Sequence, residues 1–306
     1  MSDVIGELLP VFILIVIGWS VRAAGIVSAE AFGQVNRFGY FVLYPAFLFT
    51  LSSSADLSGG EAGPFIVGIL LGFAIMIAIA LATRPLYAQS EGPAFTSVFQ
   101  GSVRWNGFVL LAAAPSLYGP LGPHLIGVAF GPLVLVVNLV CVIVLARWGA
   151  NGANSARAIF DQIVANPLII GCAAGLIAQA FQVRDLGPVS DVLNLLGQAA
   201  MPIAIICVGA GLDFKAVRAA RVKVATASLF KLAIAPAVMW GAAMLVGASP
   251  LAAAVAAGVG STPTAAAGYT LAREMGGDPQ LMAAIITATT LLSFFTMPVA
   301  IALALP

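Results

Sequence analysis

Charged residues are scarce in this sequence. Lys and Arg number 13, Asp and Glu 12, and together they make up 8% of 306 residues. Soluble domains carry roughly 25%. With 61% apolar residues and a mean hydropathy of +1.07, the composition excludes a water-soluble protein. The formal net charge is +1 and like charges form no run, so nucleic acid is not an expected partner.

Cysteine is scarce as well, and the sequence lacks the short motifs of hydrolytic enzymes. Cys141, Cys172 and Cys207 lie in apolar stretches without C-x-x-C spacing, so we expect small core residues rather than disulfides or a zinc site. The sequence contains no H-E-x-x-H or G-x-S-x-G motif and no paired intramembrane aspartates. We therefore predict no enzyme activity, no catalytic residues, no metal and no cofactor.

The apolar residues are arranged in ten blocks of about twenty residues, the length that a helix needs to cross the hydrocarbon core. The acidic start, MSDVIGELLP, does not resemble a secretory signal, so we expect no cleaved segment. The pattern predicts an all-α polytopic membrane protein with helices near 5–24, 36–54, 64–84, 94–117, 123–147, 162–181, 190–212, 223–246, 251–273 and 280–305.

The basic residues predict the orientation. Loops rich in Lys and Arg stay in the cytoplasm. The loops after odd-numbered helices, with their flanks, hold ten basic residues, whereas the opposite loops hold only Arg184. The ten are Arg22, Arg37, Arg84, Arg147, Arg157, Lys215, Arg218, Arg221, Lys223 and Arg273. We predict that both termini lie outside, in the periplasm.

An offset of 157 residues aligns the two halves of the chain. Three proline pairs coincide, Pro10 with Pro167, Pro45 with Pro202 and Pro93 with Pro250, as do Gly18 with Gly175 and Asp56 with Asp213. The repeats, 1–148 and 158–306, contain five helices each, and an odd number inverts the second copy in the membrane. Inverted repeats are typical of secondary transporters. The alternative is a duplicated scaffold without transport activity.

The fourth helix of each repeat is predicted to break within the membrane. The first reads GSVRWNGFVLLAAAPSLYG and the second GVGSTPTAAAGYTLAREMG, and Pro263 matches Asn106 under the same offset. Proline removes an amide donor, and Gly, Ser and Thr can satisfy the backbone groups that are freed. A half-helix N-terminus carries unpaired N–H groups and partial positive charge, so two such ends together favour an anion.

Four polar side chains inside predicted helices are candidates for substrate contact. Arg104 is near mid-membrane with no Asp or Glu at its depth, so its partner is an anionic substrate or backbone carbonyls of the broken helix. Asn106 can bind a carboxylate and cap the outer half-helix. Asn138 either contacts substrate or bonds a neighbouring helix. Lys231 is either an accessory binding residue or a side chain that snorkels to the cytoplasmic surface.

Acidic residues are expected only at helix ends. Asp56 and Asp213 close their helices at equivalent positions, where capping explains them best. Proton or sodium coupling usually depends on a buried carboxylate, and none is predicted. We therefore favour an uncoupled or potential-driven carrier, although backbone carbonyls at the breaks could still bind sodium.

Three segments carry a resemblance to a known family. They are LLPVFILIVIGWSVRAAGIVS with NRFGYFVLYPAFLF, NPLIIGCAAGLIAQAF with LGQAAMPIAIICVGAGLDF, and STPTAAAGYTLAREMGGD. Over nearly its whole length the chain resembles the auxin efflux carrier family, which includes bacterial members and the plant PIN carriers. The long cytoplasmic loop of many plant members is missing here.

The resemblance implies two inverted five-helix repeats, a scaffold of helices 1, 2, 6 and 7, and a mobile transport domain of helices 3–5 and 8–10. Helices 4 and 9 would cross at their breaks beneath an organic-anion site, here Arg104–Gly107 and Gly260–Thr264, and transport would resemble an elevator motion. The family often has a proline just after the Asn of helix 4. Here the next proline is Pro115, so the first break could lie between Asn106 and Pro115.

The sequence therefore predicts a carrier of a small carboxylate, either a dicarboxylate or an auxin-like acid, in a bacterial inner membrane. Arg104, Asn106 and Gly107 would bind it, with Ser261, Thr262, Pro263 and Thr264 on the opposite wall. A sodium symporter of the bile-acid type and a non-transporting receptor are the alternatives. Besides substrate and lipid, the resemblance suggests a homodimer, with Phe47 and Phe49 as contacts.

Overall fold

The computed structural model describes residues 2–54, 60–150, 156–183 and 186–306. These ranges contain helices and connecting turns and no strand. Asp56 and Arg184 lie outside the described residues. The helices of the first half are α1 Ser2–Ala23, α2 Ala29–Phe38, α3 Tyr44–Ser53, α4 Ala62–Ala82, α5 Gly92–Val103, α6 Gly107–Tyr118 and α7 Leu121–Trp148.

The helices of the second half follow a similar order. They are α8 Ala156–Val164, α9 Pro167–Ala180, α10 Pro188–Ala210, α11 Phe214–Ala219, α12 Arg221–Leu229, α13 Ala235–Leu245, α14 Pro250–Ser261, α15 Ala267–Met275 and α16 Pro279–Ala304. Two π-helical segments, Gly39–Leu43 and Phe230–Ile234, join α2 to α3 and α12 to α13 into continuous rods. Asp213 caps α11, accepting hydrogen bonds from the amides of Lys215 and Ala216.

Six helical stretches of the described chain are long and apolar enough to cross a membrane. They are Val4–Ala23, Ala62–Leu86, Leu121–Trp148, Pro188–Ala210, Arg221–Leu245 and Pro279–Ala304. Pro167–Ala180 and Pro250–Ser261 are shorter apolar helices. The chain is therefore an all-helical, multi-pass membrane protein. The total of ten crossings stays a prediction, because the other segments are divided into shorter pieces.

Equivalent helices end or begin about 157 residues apart. The ends of α1 and α9, Ala23 and Ala180, are separated by 157 residues, and so are the ends of α3 and α10, Ser53 and Ala210. Matched starts, such as those of α5 and α14, α6 and α15, and α7 and α16, agree with this offset to within three residues. The π-helical segments have no such counterparts, so the two halves differ locally.

The helices pack in two groups. In the first group α1 packs on α10, α3 on α9, and α10 on α3. In the second, α4 and α14 pack on α13, and α5, α14 and α15 pack on α16. Helices α5 and α6 also pack on α7, which in turn contacts α3 and α9 of the first group. Glycines allow the close contacts: a Cβ on Gly18 would collide with the carbonyl oxygen of Ile206, and a Cβ on Gly68 would lie 2.6 Å from the Cα of Ala243. Small residues serve this purpose at helix interfaces in membranes.

Apolar side chains cover the outside of the helices. On α1, Leu9, Ile13 and Val16 are 44%, 49% and 56% exposed, and their spacing places them on one helix face. An exposed apolar stripe of this kind needs lipid or another apolar surface. The cysteines Cys141, Cys172 and Cys207 are buried as free thiols.

Candidate functional site

The predicted fourth helix is two helices. Helix α5 ends at Val103, Arg104 is extended with φ −71° and ψ 136°, and α6 begins at Gly107. Asn106 is the N-cap of α6, and its Oδ1 accepts a hydrogen bond from the amide of Val109 at 3.4 Å. Asparagine is among the best N-cap residues because it satisfies an amide that the helix leaves free. Pro115 lies inside α6, so the interruption is at Asn106 and not at the proline.

The predicted ninth helix is interrupted in the same way. Helix α14 ends at Ser261, Thr262 is extended with φ −60° and ψ 152°, and α15 begins at Ala267. Pro263 lies in this interruption. The N-cap of α15, Ala266, makes no side-chain hydrogen bond, so the first amides of α15 have no capping acceptor.

The two interruptions touch each other. The amide of Asn106 donates to the carbonyl oxygen of Pro263 at 3.0 Å and to Oγ1 of Thr262 at 3.2 Å. The Thr264 hydroxyl donates to the carbonyl oxygen of Gly101 at 2.7 Å, and the Thr264 amide donates to Oγ1 of Thr289 at 3.2 Å. The other broken helix and α16 thus satisfy the Asn106 and Thr264 amides and the Gly101 carbonyl.

A cavity of about 80 Å³ lies beside this crossing. One water needs about 10–15 Å³ by this measure, so several waters or a small organic ion could fit. Its polar lining comes from Arg104, Asn106, Gly107 and Asn138, and Ala265–Ala267 bring the start of α15 to the same space. Tyr44 and Leu48 of α3, Leu168 of α9, and Ala204 and Val208 of α10 form the other wall. The cavity therefore lies between the two groups of helices.

Arg104 is a buried cation with neutral partners. Its side chain is 4% exposed, its Nε donates to Oε1 of Gln100 at 3.0 Å, and an Nη donates to Oδ1 of Asn138 at 3.0 Å. Within the described ranges the single ion pair is Lys223 with Glu91, far along the chain from this site. The guanidinium therefore has no carboxylate partner here, which is costly in a low-dielectric interior.

Asn106 and Asn138 have different tasks in this geometry. Both polar atoms of the Asn138 amide are hydrogen-bonded: Oδ1 accepts from Arg104, and Nδ2 donates one of its two hydrogens to the carbonyl oxygen of Val134 at 2.9 Å. Asn138 therefore orients the guanidinium. The Asn106 Nδ2 makes no hydrogen bond to any described residue, while Oδ1 caps α6. The Asn106 Nδ2 is therefore an amide donor at the cavity that is available to a ligand.

The polar residues of the second break lie elsewhere. Ser261, Thr262, Pro263 and Thr264 are buried at the crossing and do not line the cavity, which corrects their expected place on its opposite wall. The Ser261 hydroxyl donates to the carbonyl oxygen of Gly258 at 2.9 Å, and the Thr262 hydroxyl donates to that of Val259 at 2.9 Å. Both hydroxyls donate to carbonyl groups at the end of α14, and the alanines that follow line the wall instead.

Lys231 does not snorkel to a surface, contrary to that expectation. It is 1% exposed within the π-helical segment, and its Nζ donates to the carbonyl oxygens of Gly260 at 2.7 Å and Val259 at 3.5 Å. The reason is proximity: α14 comes so close that a Cβ on Gly260 would lie 2.7 Å from the carbonyl oxygen of Ala235. The ammonium therefore reaches the end of α14, and it does not line the cavity.

Some site residues were missed at the sequence level. Gln100 fixes Arg104 from one helical turn earlier, and a Gln four residues before a buried Arg on one helix is a usable signal. Tyr44, Phe108 and Phe130 form an aromatic wall, with ring centroids 5.4 Å apart for Tyr44–Phe108 and 6.1 Å for Phe108–Phe130. Phe47, which was expected at a dimer contact, packs on Phe108 and Phe130 of its own chain, with ring centroids 5.0 and 5.5 Å apart.

Comparison with known proteins finds similarity to membrane transport proteins. A family model described as "Membrane transport protein" matches residues 154–301. A Rhizobium meliloti protein named "Putative malonate transporter" is 26% identical over 317 residues, covering 97% of this chain and 94% of that protein. A Methanothermobacter thermautotrophicus protein named "Uncharacterized transporter" is 24% identical over 296 residues, covering 95% of both chains.

The apolar helices are those of a multi-pass membrane protein, and the similarities are to membrane transport proteins. The chain is thus similar to membrane transport proteins, and its three sequence segments resemble the auxin efflux carrier family.

Proposed function

We propose that this protein is a secondary carrier that moves a small organic anion across a bacterial inner membrane by alternating access. One observation carries the proposal: the buried guanidinium of Arg104 has only neutral partners among the described residues and lies at a cavity. An anion in the cavity would supply the missing negative charge.

The surroundings of Arg104 favour a carboxylate. Arginine pairs strongly with carboxylates because its planar N–H donors match the two oxygens. The free Nδ2 of Asn106 is a further donor, and the starts of α6 and α15 both reach the cavity at Gly107 and Ala267. Helix N-termini carry partial positive charge and unpaired amides. All these groups stabilise an anion and none of them stabilises a cation.

The substrate we place first is a short dicarboxylate. The volume of the cavity, about 80 Å³, suits a small anion, and malonate stands in the printed name of the Rhizobium meliloti relative. The second substrate class that we propose is a carboxylate with an apolar body, such as an indole acid, which the aromatic wall of Tyr44, Phe108 and Phe130 would contact. The two classes differ in charge and size, so transport assays separate them.

The proposed architecture is two inverted repeats, 1–148 and 158–306, and reciprocal contacts support it. Gly18 packs against the backbone of Ile206, and Gly175 packs against the backbone of Phe49. Under the 157-residue offset, Gly18 is equivalent to Gly175 and Phe49 is equivalent to Ile206. The same contact is therefore made twice, with the two halves of the chain exchanged. Exchange of this kind is characteristic of two-fold symmetry and is not expected from repeats related by translation. With five crossings per repeat, the axis would lie in the membrane plane.

The proposed moving parts are the two groups of helices. Predicted helices 1, 2, 6 and 7 correspond to α1, α2–α3, α8–α9 and α10, which pack together, while the other group contains both broken helices. The cavity lies between the groups, with Arg104 on one side and Ala204 on the other. Sliding of one group along the other would carry the anion from one membrane face to the other, an elevator motion.

We propose that the membrane potential drives net movement. The buried charged residues in the described ranges are Arg104 and Lys231, and no buried carboxylate accompanies them. A carrier that lacks a coupling ion moves the charge of its substrate and responds to the potential, at about 2.3 kcal/mol per charge per 100 mV. One alternative is sodium-coupled symport of the anion. Another is a receptor that binds the anion without transporting it.

Uptake and current in proteoliposomes test the proposal. Purified protein is reconstituted at set membrane potential, without pH or sodium gradients, and malonate, succinate, lactate and indole-3-acetate are compared. Saturable, electrogenic movement of one anion is expected. Movement only after a sodium gradient is imposed would support the symporter, and binding without movement would support a receptor. We also propose that both termini lie in the periplasm. We further propose that the protein is a homodimer, with Phe49 as the candidate contact between the two chains.

A further inference from the structure

The carbonyl end of α14 is held by a lysine. Nζ of Lys231 is 2.7 Å from the carbonyl oxygen of Gly260 and 3.5 Å from that of Val259, in the last turn of α14. Lys231 is 1% exposed. Its ammonium makes no ion pair within the described ranges, where the one recorded pair joins Lys223 and Glu91. The positive charge is therefore balanced by backbone dipoles.

The end of a half-helix at membrane depth attracts cations. The last carbonyls lack intrahelical partners and together carry about half a negative charge. In other secondary transporters with discontinuous helices, such carbonyl ends coordinate the coupling ion. Here the Ser261 and Thr262 hydroxyls satisfy the carbonyls of Gly258 and Val259, and the ammonium takes the remaining position.

The matching end of α5 has no cation of this kind. The carbonyl oxygen of Gly101 accepts from the Thr264 hydroxyl at 2.7 Å, and the Arg104 side chain turns to Gln100 and Asn138. The position equivalent to Lys231 is Ala74. Lys231 also lies in the π-helical segment Phe230–Ile234, which lacks a counterpart in the first half. A π-helical insertion is frequently associated with a functional position.

We propose that the Lys231 ammonium is a tethered cation that occupies a monovalent-cation site at the carbonyl end of α14, and that it thereby makes anion binding and transport independent of sodium. The proposal rests on the carrier function proposed above for its transport consequence. The proposal also predicts that removal of the lysine opens a cation site at the end of α14, and this prediction does not depend on transport.

Two substitutions separate the charge from the volume of the side chain. Lys231→Ala removes the ammonium and leaves space for a hydrated ion at the carbonyls of Gly260 and Val259. Lys231→Met removes the charge and fills the space with a chain of similar length. Lys223→Ala is the matched control, since it removes a lysine whose partner, Glu91, lies outside the crossing.

The first measurement is the thermal unfolding midpoint of each purified protein, in sodium chloride and in choline chloride at equal ionic strength. We expect Lys231→Ala to be destabilised in choline and stabilised by sodium, saturably, by at least about 2 °C. Wild type, Lys231→Met and Lys223→Ala should not respond. An Ala variant with equal midpoints in both salts overturns the proposal.

The second measurement is transport by the wild-type protein, which does not depend on whether a variant folds. Uptake of malonate should be equal in sodium and in choline, and a sodium requirement in wild type overturns the proposal. For Lys231→Ala, affinity in choline should fall by about tenfold, and sodium should restore most of it. If no anion of the panel is transported, the proposed function fails while the unfolding measurement still decides whether the cation site exists.

Discussion

The amide nitrogen of Asn106 lies 3.0 Å from the carbonyl oxygen of Pro263, and these two residues are 157 positions apart in the chain. They are thus equivalent positions of the two halves, in direct contact. Residues meet their own equivalents only close to a symmetry axis. The crossing of the broken helices therefore marks where such an axis would pass, and the cavity of Arg104 lies beside it.

Asn106 allows its capping and its binding role to be separated. In Asn106→Asp, Oδ1 still caps the amide of Val109, but the amide donor is lost and a negative charge faces the cavity. We expect near-normal stability and at least about a hundredfold loss of anion affinity, since the lost donor and the repulsion both act on the carboxylate. Binding by isothermal titration and the unfolding midpoint check this.

Asn106→Ala provides the comparison. It removes the cap as well, so the free energy of unfolding should fall by about 0.5–2 kcal/mol while anion binding is lost. Anion affinity that is unchanged in either variant would remove Asn106 from the binding site.

Arg104 should be needed for its geometry as well as its charge. Arg104→Lys keeps the charge but cannot donate to Gln100, Asn138 and a carboxylate at once, so we expect a loss of affinity of about 1.5–3 kcal/mol. Arg104→Gln should abolish binding. Asn138→Ala, which frees the guanidinium from its orienting partner, should weaken binding less than Arg104→Gln does, and equal losses in the two would contradict a positioning role for Asn138.

The glycine contacts between α1 and α10 and between α3 and α9 should limit stability. Gly18→Ala places a methyl group against the carbonyl of Ile206, and Gly175→Ala places one 2.6 Å from the carbonyl oxygen of Phe49. Each should lower the free energy of unfolding by about 1–3 kcal/mol through overpacking. Gly241→Ala, in α13 with no atom within 4 Å of the new methyl, should be neutral or stabilising by up to about 1 kcal/mol. Equal midpoints for the three variants would contradict the close packing.

Single cysteines can test the predicted orientation. Leu86 and Leu186 are exposed and lie in loops predicted to be cytoplasmic and periplasmic, respectively. In intact cells, a membrane-impermeant maleimide should label Leu186→Cys and should label Leu86→Cys only after lysis. Background should be low, because the native thiols of Cys141, Cys172 and Cys207 are buried. The opposite labelling pattern would reverse the orientation.

The sequence by itself determined that this is a helical, multi-pass membrane protein, because composition and block length report directly on the solvent around a helix. It also predicted the second interruption at Pro263 and left the first between Asn106 and Pro115, since an N-cap residue and a proline both act on their own backbone. The 157-residue offset was visible because matched prolines and glycines keep their positions relative to helix ends.

Only the tertiary structure decided which polar groups meet. Ser261 and Thr262 were expected at the cavity, yet their hydroxyls bond carbonyls of α14, and Ala265–Ala267 line the wall instead. Lys231 was expected to snorkel or to assist binding, yet it reaches Gly260 because α13 and α14 approach closely there. Such partners depend on distances across helices, and hydropathy and helical period describe one helix at a time.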